Sequence, residues 1–539
     1  MRVEGSYRVA ALSAQAQLIV SFISKVEPMN TTRRNLLLGA SVAAGTALLP
    51  IYGQRLLARP RFSTNPFTLG VASGDPEPHG VVLWTRLAPS PLADDGGMPA
   101  EAVPVGWEVA NDDAFTQVVR SGTVWAMPQA AHSVHVEVDG LLPDRVYHYR
   151  FHVGDEMSRT ARTRTAPAAD ADVRALRYAF TACQHYETGY YGAYRQMVAD
   201  DPALVLFLGD YIYERPGLDG RPRRHPDEAA ADLPSYRRRH ALYKLDPDLQ
   251  AAHAAAPWLT IWDDHEVQNN YNGDVSQAGG DSATFLVRRA AAYQAYYEHM
   301  PLRRRSIPVG PHMQLYRRVD WGRLARFQLL DARQYRDDMP CQDMAPNRKS
   351  IPDCTERRDP SRTLLGAKQE RWLFQELAGS TARWNIIAQQ FMMAEARRPD
   401  PESGQIRFSS DGWDGYPAAR DRLLAFLSDA RISNPVAIGG DSHAFIASEL
   451  SINPDGPVIA PVIVGGSLSS TSGAEFDDMV RNSPQIRFAE NQRRGYSIVD
   501  VSPESSTLTM RAAVDATDPD TRTTTLKSFT VENGVPGFA

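Results

Sequence analysis

Val205-Leu206-Phe207-Leu208-Gly209-Asp210-Tyr211-Ile212-Tyr213-Glu214 is an apolar run of strand length that ends abruptly in a glycine and a carboxylate. Gly209 lets the chain turn sharply after the strand. Asp210 then projects into the crevice beyond it, and the Tyr213 phenol reaches the same point if the segment makes one turn. The layout recurs three times. Ala179-Phe180-Thr181-Ala182 leads to Cys183, Leu259-Thr260-Ile261-Trp262 leads to Asp263-Asp264-His265-Glu266, and Val436-Ala437-Ile438-Gly439-Gly440 leads to Asp441-Ser442-His443. Strands followed by loops of Asp, His, Cys or Tyr are how an α/β sheet gathers ligands at the carboxyl ends of its strands. Four in one chain point to a polynuclear metal centre.

The ligand types sort the ions. A tyrosinate (Tyr213) and a thiolate (Cys183) suit a strongly Lewis-acidic ion such as ferric iron. In Asp263-Asp264-His265-Glu266 one carboxylate can bind a second ion while His265 faces a leaving group. Asn269 and Asn270 add neutral oxygens suited to a hard ion such as calcium. Asp441 and His443, at alternate positions, address two ions from one loop. Each cluster also has an ordinary reading: a strand-end turn with a packed tyrosine, a capped helix N-terminus, a cysteine acting as a small hydrophobe. Recurrence at successive strand ends, with complementary ligand types, favours the metal site.

Outward from these clusters, the chain from about Val173 alternates strand-like runs (326–330, 384–388) with runs at helical spacing (367–377, 418–427), which predicts sheets flanked by helices. From about Phe67 to Thr165 short alternating strands (81–85, 106–109, 132–138) are separated by turns at Ser73-Gly74-Asp75-Pro76 and Asp139-Gly140, predicting a β-sandwich. The Leu141–Asp144 loop before Tyr147–Phe151 resembles a fibronectin-type module, and 166–170 reads as a linker. Short strands return after Gly495. Thr32-Arg33-Arg34-Asn35-Leu36-Leu37-Leu38, followed by an apolar small-residue stretch to about Pro50, has the pattern of a twin-arginine export signal. It implies passage through the twin-arginine translocation machinery to a periplasmic or secreted location. The stretch is too short to be a membrane span, and the mature chain offers no other candidate. The expected divisions are a leader over 1–65, a sandwich over 66–168 and a catalytic domain over 173–539.

Composition adds exclusions. A net charge of −6 over 539 residues gives no basic footprint for nucleic acid. Of three cysteines, Cys341 and Cys354 lie close enough to pair in an exported protein, leaving Cys183 as a ligand. Arg237–Arg239 and Arg303–Arg305 read as solvated faces, and Trp413–Tyr416 as either a rim loop or a buried corner. Arg333 and Arg336 read either as charged forks for a phosphate oxygen or as surface partners of Asp337 and Asp338.

Together these residues resemble the alkaline phosphatase D (PhoD) family of metallophosphoesterases. Further segments carry the likeness: Ser73–Pro76, Leu330-Asp331-Ala332-Arg333-Gln334-Tyr335-Arg336, Leu365–Gln369 and Trp413–Pro417. The resemblance spans roughly Phe67 to Val501. It implies a fibronectin/Ig-like β-sandwich followed by a four-layer αββα phosphoesterase domain. It also implies hydrolysis of phosphate mono- and diesters by a metal-activated hydroxide, with iron (Fe3+) and calcium (Ca2+). Cys183 and Tyr213 are implied on iron and Asp210 between ions; Asp264, Asn270, Asp441 and His443 complete the ligands, and His265 serves the departing alkoxide. Asp264 stands where the wider superfamily has the asparagine of Gly-Asn-His-Glu. That superfamily's middle histidine has no counterpart in Ala388-Gln389-Gln390, so an amide or water serves there. Two other readings are a phospholipase D-like esterase of the same family and a non-catalytic surface protein with structural metals.

Overall fold

The computed structural model describes residues 61–343, 350–453, 456–472 and 476–539. The twin-arginine stretch lies outside them. Among the described residues no helix is long and apolar enough to cross a membrane.

The amino-terminal third is built from β1 (Val71–Glu77), β2 (Gly80–Arg86), β3 (Val103–Ala110), β4 (Val118–Ala126), β5 (Ser133–Asp139), β6 (Val146–Val153), β7 (Glu156–Met157) and β8 (Ala161–Arg164). β4-β3-β6-β7 form one antiparallel sheet, to which β8 adds through β6. Val81 and Leu83 of β2 and Val134, Val136 and Val138 of β5 share a core with Val105 and Val109 of β3 and Tyr149 and Phe151 of β6. The inward residues recur at every second position because strand side chains alternate between faces. Tyr147 closes this unit's corner, its hydroxyl accepting a hydrogen bond from Leu142 N at 2.9 Å.

β1, β2 and β5 do not close on themselves. They extend a nine-stranded sheet containing β9 (Leu176–Thr181), β10 (Leu204–Leu208), β11 (Trp258–Ile261), β22 (Gly495–Val501), β23 (Ser505–Ala513) and β24 (Thr523–Glu532), in the order β24-β23-β22-β9-β10-β11-β1-β2-β5. The junction is a parallel pairing of Gly74 with Trp258. A Cβ at Gly74 would lie 2.4 Å from Pro301 O and 2.8 Å from Trp258 O, so only glycine lets the two backbones meet there.

A second large sheet of seven strands comprises β12 (Arg317–Trp321), β13 (Ala325–Leu329), β15 (Trp384–Ala388), β18 (Pro435–Gly439), β19 (Phe445–Leu450), β20 (Ala460–Gly465) and β21 (Ile486–Glu490). β14 (Ser350–Pro352), β16 (Arg398–Pro399) and β17 (Ile406–Ser409) make a small sheet of three. Phe180, Leu206 and Ile498 of the nine-stranded sheet share one core with Phe327, Ile386, Ile438 and Ile463 of the seven-stranded one. That core also takes in residues of α1 (Ala193–Ala199), α2 (Leu233–Lys244), α3 (Pro247–Ala255) and α4 (Ser282–His299). The other face of the seven-stranded sheet (Ile387, Ala437, Val462, Val464) is covered by Leu373 and Leu377 of α5 (Gly366–Ala378) and Leu423, Leu424 and Leu427 of α6 (Pro417–Asp429). The architecture is mixed α/β with several sheets. β9, β10 and β11 run parallel, as do β13, β15, β18 and β20. Their carboxyl ends therefore deliver loops to one region.

Several sequence expectations need correction. Ser73–Pro76 lies inside β1, where the register shifts between Gly74 and Glu77, and is not a turn. Arg239 and Arg303 are buried. The Arg239 guanidinium holds the carbonyls of Tyr213, Arg215 and Glu228, and that of Arg303 holds Asp75 O at 2.8 Å and the Glu77 carboxylate at 3.0 Å. A run of three arginines need not share one face, so charge count alone misreads them. Trp413–Tyr416 is a buried corner, with the Trp413 indole N–H donating to Gln389 Oε1 at 3.1 Å. Cys341 and Cys354 are paired.

Candidate metal centre

The strand ends put the ligand-bearing loops side by side. β9 leads to Cys183, β10 to Asp210 and Tyr213, β11 to Asp264 and His265, and β18 to Asp441 and His443. The loops are held in backbone conformations that L-residues seldom adopt: φ is +54° at Cys183, +58° at Asp210, +52° at Asn270, +54° at Asp441 and +51° at His443. Left-handed non-glycine residues cost energy and cluster where function requires it. Gly209 itself sits at φ +106°, and a Cβ there would lie 2.5 Å from Asp263 Cβ, so the turn after β10 needs glycine.

Three overlapping groups have ligand atoms within 4.8 Å of one another: Cys183, Asp210 and His443; Asp210, Asp264 and His265; Asp263, Asp264 and Asp441. Asp210 and Asp264 are shared, which is how carboxylates sit when they lie between adjacent ions. The Tyr213 hydroxyl donates to Asp210 Oδ2 at 2.8 Å and lies 3.0 Å from His443 Nε2. Thus Cys183, Asp210, Tyr213, Asp264, His265, Asp441 and His443 converge. Among the described residues, the Asn270 side-chain oxygen and nitrogen are both buried without a hydrogen-bond partner. A buried amide left so is costly unless something else binds it, and its oxygen suits a hard cation. Asn269 is differently placed: its side chain is engaged by Arg215 and Gln277. Gln390, where the middle histidine is missing, donates to Trp262 O at 2.7 Å and Leu330 O at 3.0 Å, while its Oε1 is buried without a partner among the described residues.

The surrounding groups orient the set. The Glu266 carboxylate accepts from the backbone N–H groups of Asp210, Tyr211 and Asp263, tying the β10 and β11 loops together. Glu214 Oε2 lies 2.6 Å from His265 Nδ1, and Glu214 Oε1 accepts from Asn269 N at 3.0 Å. Thr471 O lies 2.9 Å from His443 Nδ1, which directs Nε2 toward the cluster. Arg333 and Arg336 are fully buried, which removes the surface pairing with Asp337 and Asp338. Arg333 forks between Asp263 and Asp411, with its NH2 3.8 Å from both Asp264 Oδ1 and Asp441 Oδ1; Arg336 NH2 holds Asp411 Oδ1 at 2.7 Å.

Electrostatically the site is poised for cations. Burial, then Asp210, Asp441 and Asp263, push the Cys183 thiol well above its usual value. Burial, then Asp210 and Cys183, do the same to the Tyr213 phenol. Burial raises Asp263 despite Arg333. These groups disfavour one another's charged forms, and multivalent cations reverse that balance. Thiol, phenol, carboxylates, imidazole and an unpartnered amide therefore fit metal ions as a donor set. Burial opposes a charge on His265, but Glu214, Asp264 and Asp210 prevail and raise it to about 9.

Residues 178–510 match PhoD-like phosphatase, and residues 54–167 match PhoD-like phosphatase, N-terminal domain. The chain belongs to the PhoD-like phosphatase family. It is 45% identical to alkaline phosphatase D of Bacillus subtilis (strain 168), across 94% of this chain and 88% of that protein. A solved structure described as "Structure of PhoD" superposes with a TM-score of 0.85 at 46% identity, covering 89% of this chain and 93% of that one. The protein is thus a phosphoric ester hydrolase, and its mixed α/β fold is that of a PhoD structure.

Sequence reasoning missed Glu214, Glu266, Asp263 and Asp411 as members of the site. Glu214 adjoins Tyr213 and Glu266 adjoins His265, so adjacency was the available signal. Asp411 has no local signal: it reaches the site only through the fold.

Proposed function

We propose that this phosphoesterase is an exported, metal-dependent alkaline phosphatase and phosphodiesterase acting on phosphate mono- and diesters. The carrying observation is the convergence of three overlapping donor groups on shared Asp210 and Asp264. Cys183, Tyr213 and His443 with Asp210 would hold ferric iron; Asp264, Asn270 and Asp441 would hold calcium. When bound, such ions supply charge neutralisation at the phosphate and activation of water. His265, held by Glu214, keeps a proton available for the departing alkoxide. Arg333 and Arg336 bear on substrate through the carboxylates they position, since both guanidiniums are engaged beneath the cluster. The cleft-facing side is formed by Asp441 and His443, whose side chains are 30% and 23% exposed.

The shared cores support a four-layer αββα reading of the catalytic part, helices outside two facing sheets. The two amino-terminal sheets and the Tyr147 corner support an Ig-like sandwich ahead of it. Export rests on the twin-arginine stretch.

The test is elemental analysis of protein purified without chelator, alongside hydrolysis of a monoester and a diester model substrate. Iron and calcium in bound stoichiometry, with both activities lost on chelation and restored by the two metals, are expected. Full activity in metal-stripped protein would overturn the metal-dependent mechanism.

A further inference from the structure

Glu214, which holds His265, is followed by Arg215; Glu214 is buried and Arg215 is exposed. The Arg215 guanidinium donates to Asn269 Oδ1. Asn269 in turn donates its backbone N–H to Glu214 Oε1 at 3.0 Å and its side-chain amide to Gln277. The Arg215 carbonyl accepts from the buried Arg239 guanidinium at 2.8 Å. Arg215 is therefore fixed at its backbone and tethered at its head, on the side of the cluster where His265 stands. Among the described residues no carboxylate lies within ion-pair distance of it. A guanidinium carries five N–H donors, so most of its capacity is turned outward.

We propose that Arg215 is a specificity-determining residue that binds a second negative charge carried by the leaving group. Esters whose departing alcohol is itself anionic are then the preferred class over esters of neutral alcohols. This rests on the phosphoesterase reading with His265 on the leaving-group side. The reaction is unchanged: a bond forms from water oxygen to phosphorus, the bond from phosphorus to the leaving oxygen breaks, and that oxygen takes a proton. Arg215 makes and breaks no bond.

The test compares phenyl phosphate with 4-carboxyphenyl phosphate on the metal-loaded full chain, following phosphate release at low and high ionic strength. In the wild type, kcat/KM favours the carboxylated ester, and high salt compresses the preference. Arg215→Ala lowers the ratio of the two kcat/KM values about tenfold, the loss of one charge-assisted contact, and does so through KM. Arg215→Lys keeps part of the preference, and thermal unfolding of both variants matches the wild type. A ratio untouched by Arg215→Ala, or equal losses on both esters, overturns the inference while leaving the phosphoesterase reading intact. A remetallated wild type that hydrolyses neither ester overturns that reading, and the inference with it.

Discussion

Lys244, at the carboxyl end of α2, offers the sharpest test of burial energetics in this protein. Its side chain is 1% exposed and its Nζ has no hydrogen-bond partner among the described residues. It sits 4.3 Å from the Trp84 ring centroid and 5.3 Å from that of Tyr211. Burial lowers its pKa from 10.5 to about 7. Below the folded value both states carry the proton and the full cost of the buried charge is felt. Between about 7 and 10.5 the unfolded chain binds a proton that the folded one does not, so stability rises with pH across that window. At 1.36 kcal/mol per unit the cost is about 5 kcal/mol at pH 6 and about 2 kcal/mol at pH 9. The contact with Trp84 returns about 1–2 kcal/mol to the charged form. Lys244→Met keeps the unbranched stem and removes the charge. It should stabilise the protein by about 3 kcal/mol at pH 6, an advantage that holds to about pH 7 and then shrinks toward pH 10. Guanidinium unfolding of both proteins between pH 6 and 10 measures it. A variant destabilised equally at every pH would refute the reasoning, because it would mean the ammonium is well satisfied in the fold.

Other perturbations probe the site and its supports. Cys183→Ala removes a buried thiol whose charged form burial, Asp210, Asp441 and Asp263 all disfavour; elemental analysis should find bound metal lost, with metal-free stability changed by no more than about 1–2 kcal/mol. Asp411→Ala leaves Arg333 and Arg336 buried with too few partners, and chemical denaturation should register a loss of about 3–5 kcal/mol. Glu214→Gln removes the foremost of the carboxylates that raise the His265 pKa. Its kcat should fall about 10- to 100-fold on alkyl phosphates and much less on nitrophenyl phosphate, whose leaving group needs no proton. Serine at both Cys341 and Cys354 should cost about 3 kcal/mol in the chain-entropy treatment of a short loop, seen as a lower thermal midpoint under oxidising conditions only.

The elements were legible wherever a local pattern decided them. The helices expected at 367–377 and 418–427 are Gly366–Ala378 and Pro417–Asp429, since apolar residues three or four apart make one face. The loops that converge on the candidate metal centre were legible because each directly follows its strand. What stayed hidden depends on residues distant in the chain. The pairing of β1 with β11 joins Gly74 to Trp258, and no local signal announces so remote a neighbour. The glycine that permits it looked like part of a turn. The destinations of Arg239, Arg303, Arg333 and Arg336 were likewise invisible, because a guanidinium in sequence does not reveal whether a buried carbonyl or carboxylate waits for it. Asn270 could be nominated as an oxygen donor, but its unpartnered amide and left-handed backbone belong to the folded loop.

The shared nine-stranded sheet also bears on how the chain can be divided. β11 meets β1 edge to edge, so a chain begun after residue 172 would uncover the hydrogen-bonding edge of β11 and the flank of Trp258 together. A bare, buried-type strand edge is a template for pairing with other chains. Such a fragment would therefore self-associate, whereas β1, β2 and β5 act as a molecular hem that finishes the sheet. Gly74 is the stitch: a larger residue there would loosen the seam without touching a single residue of the candidate metal centre.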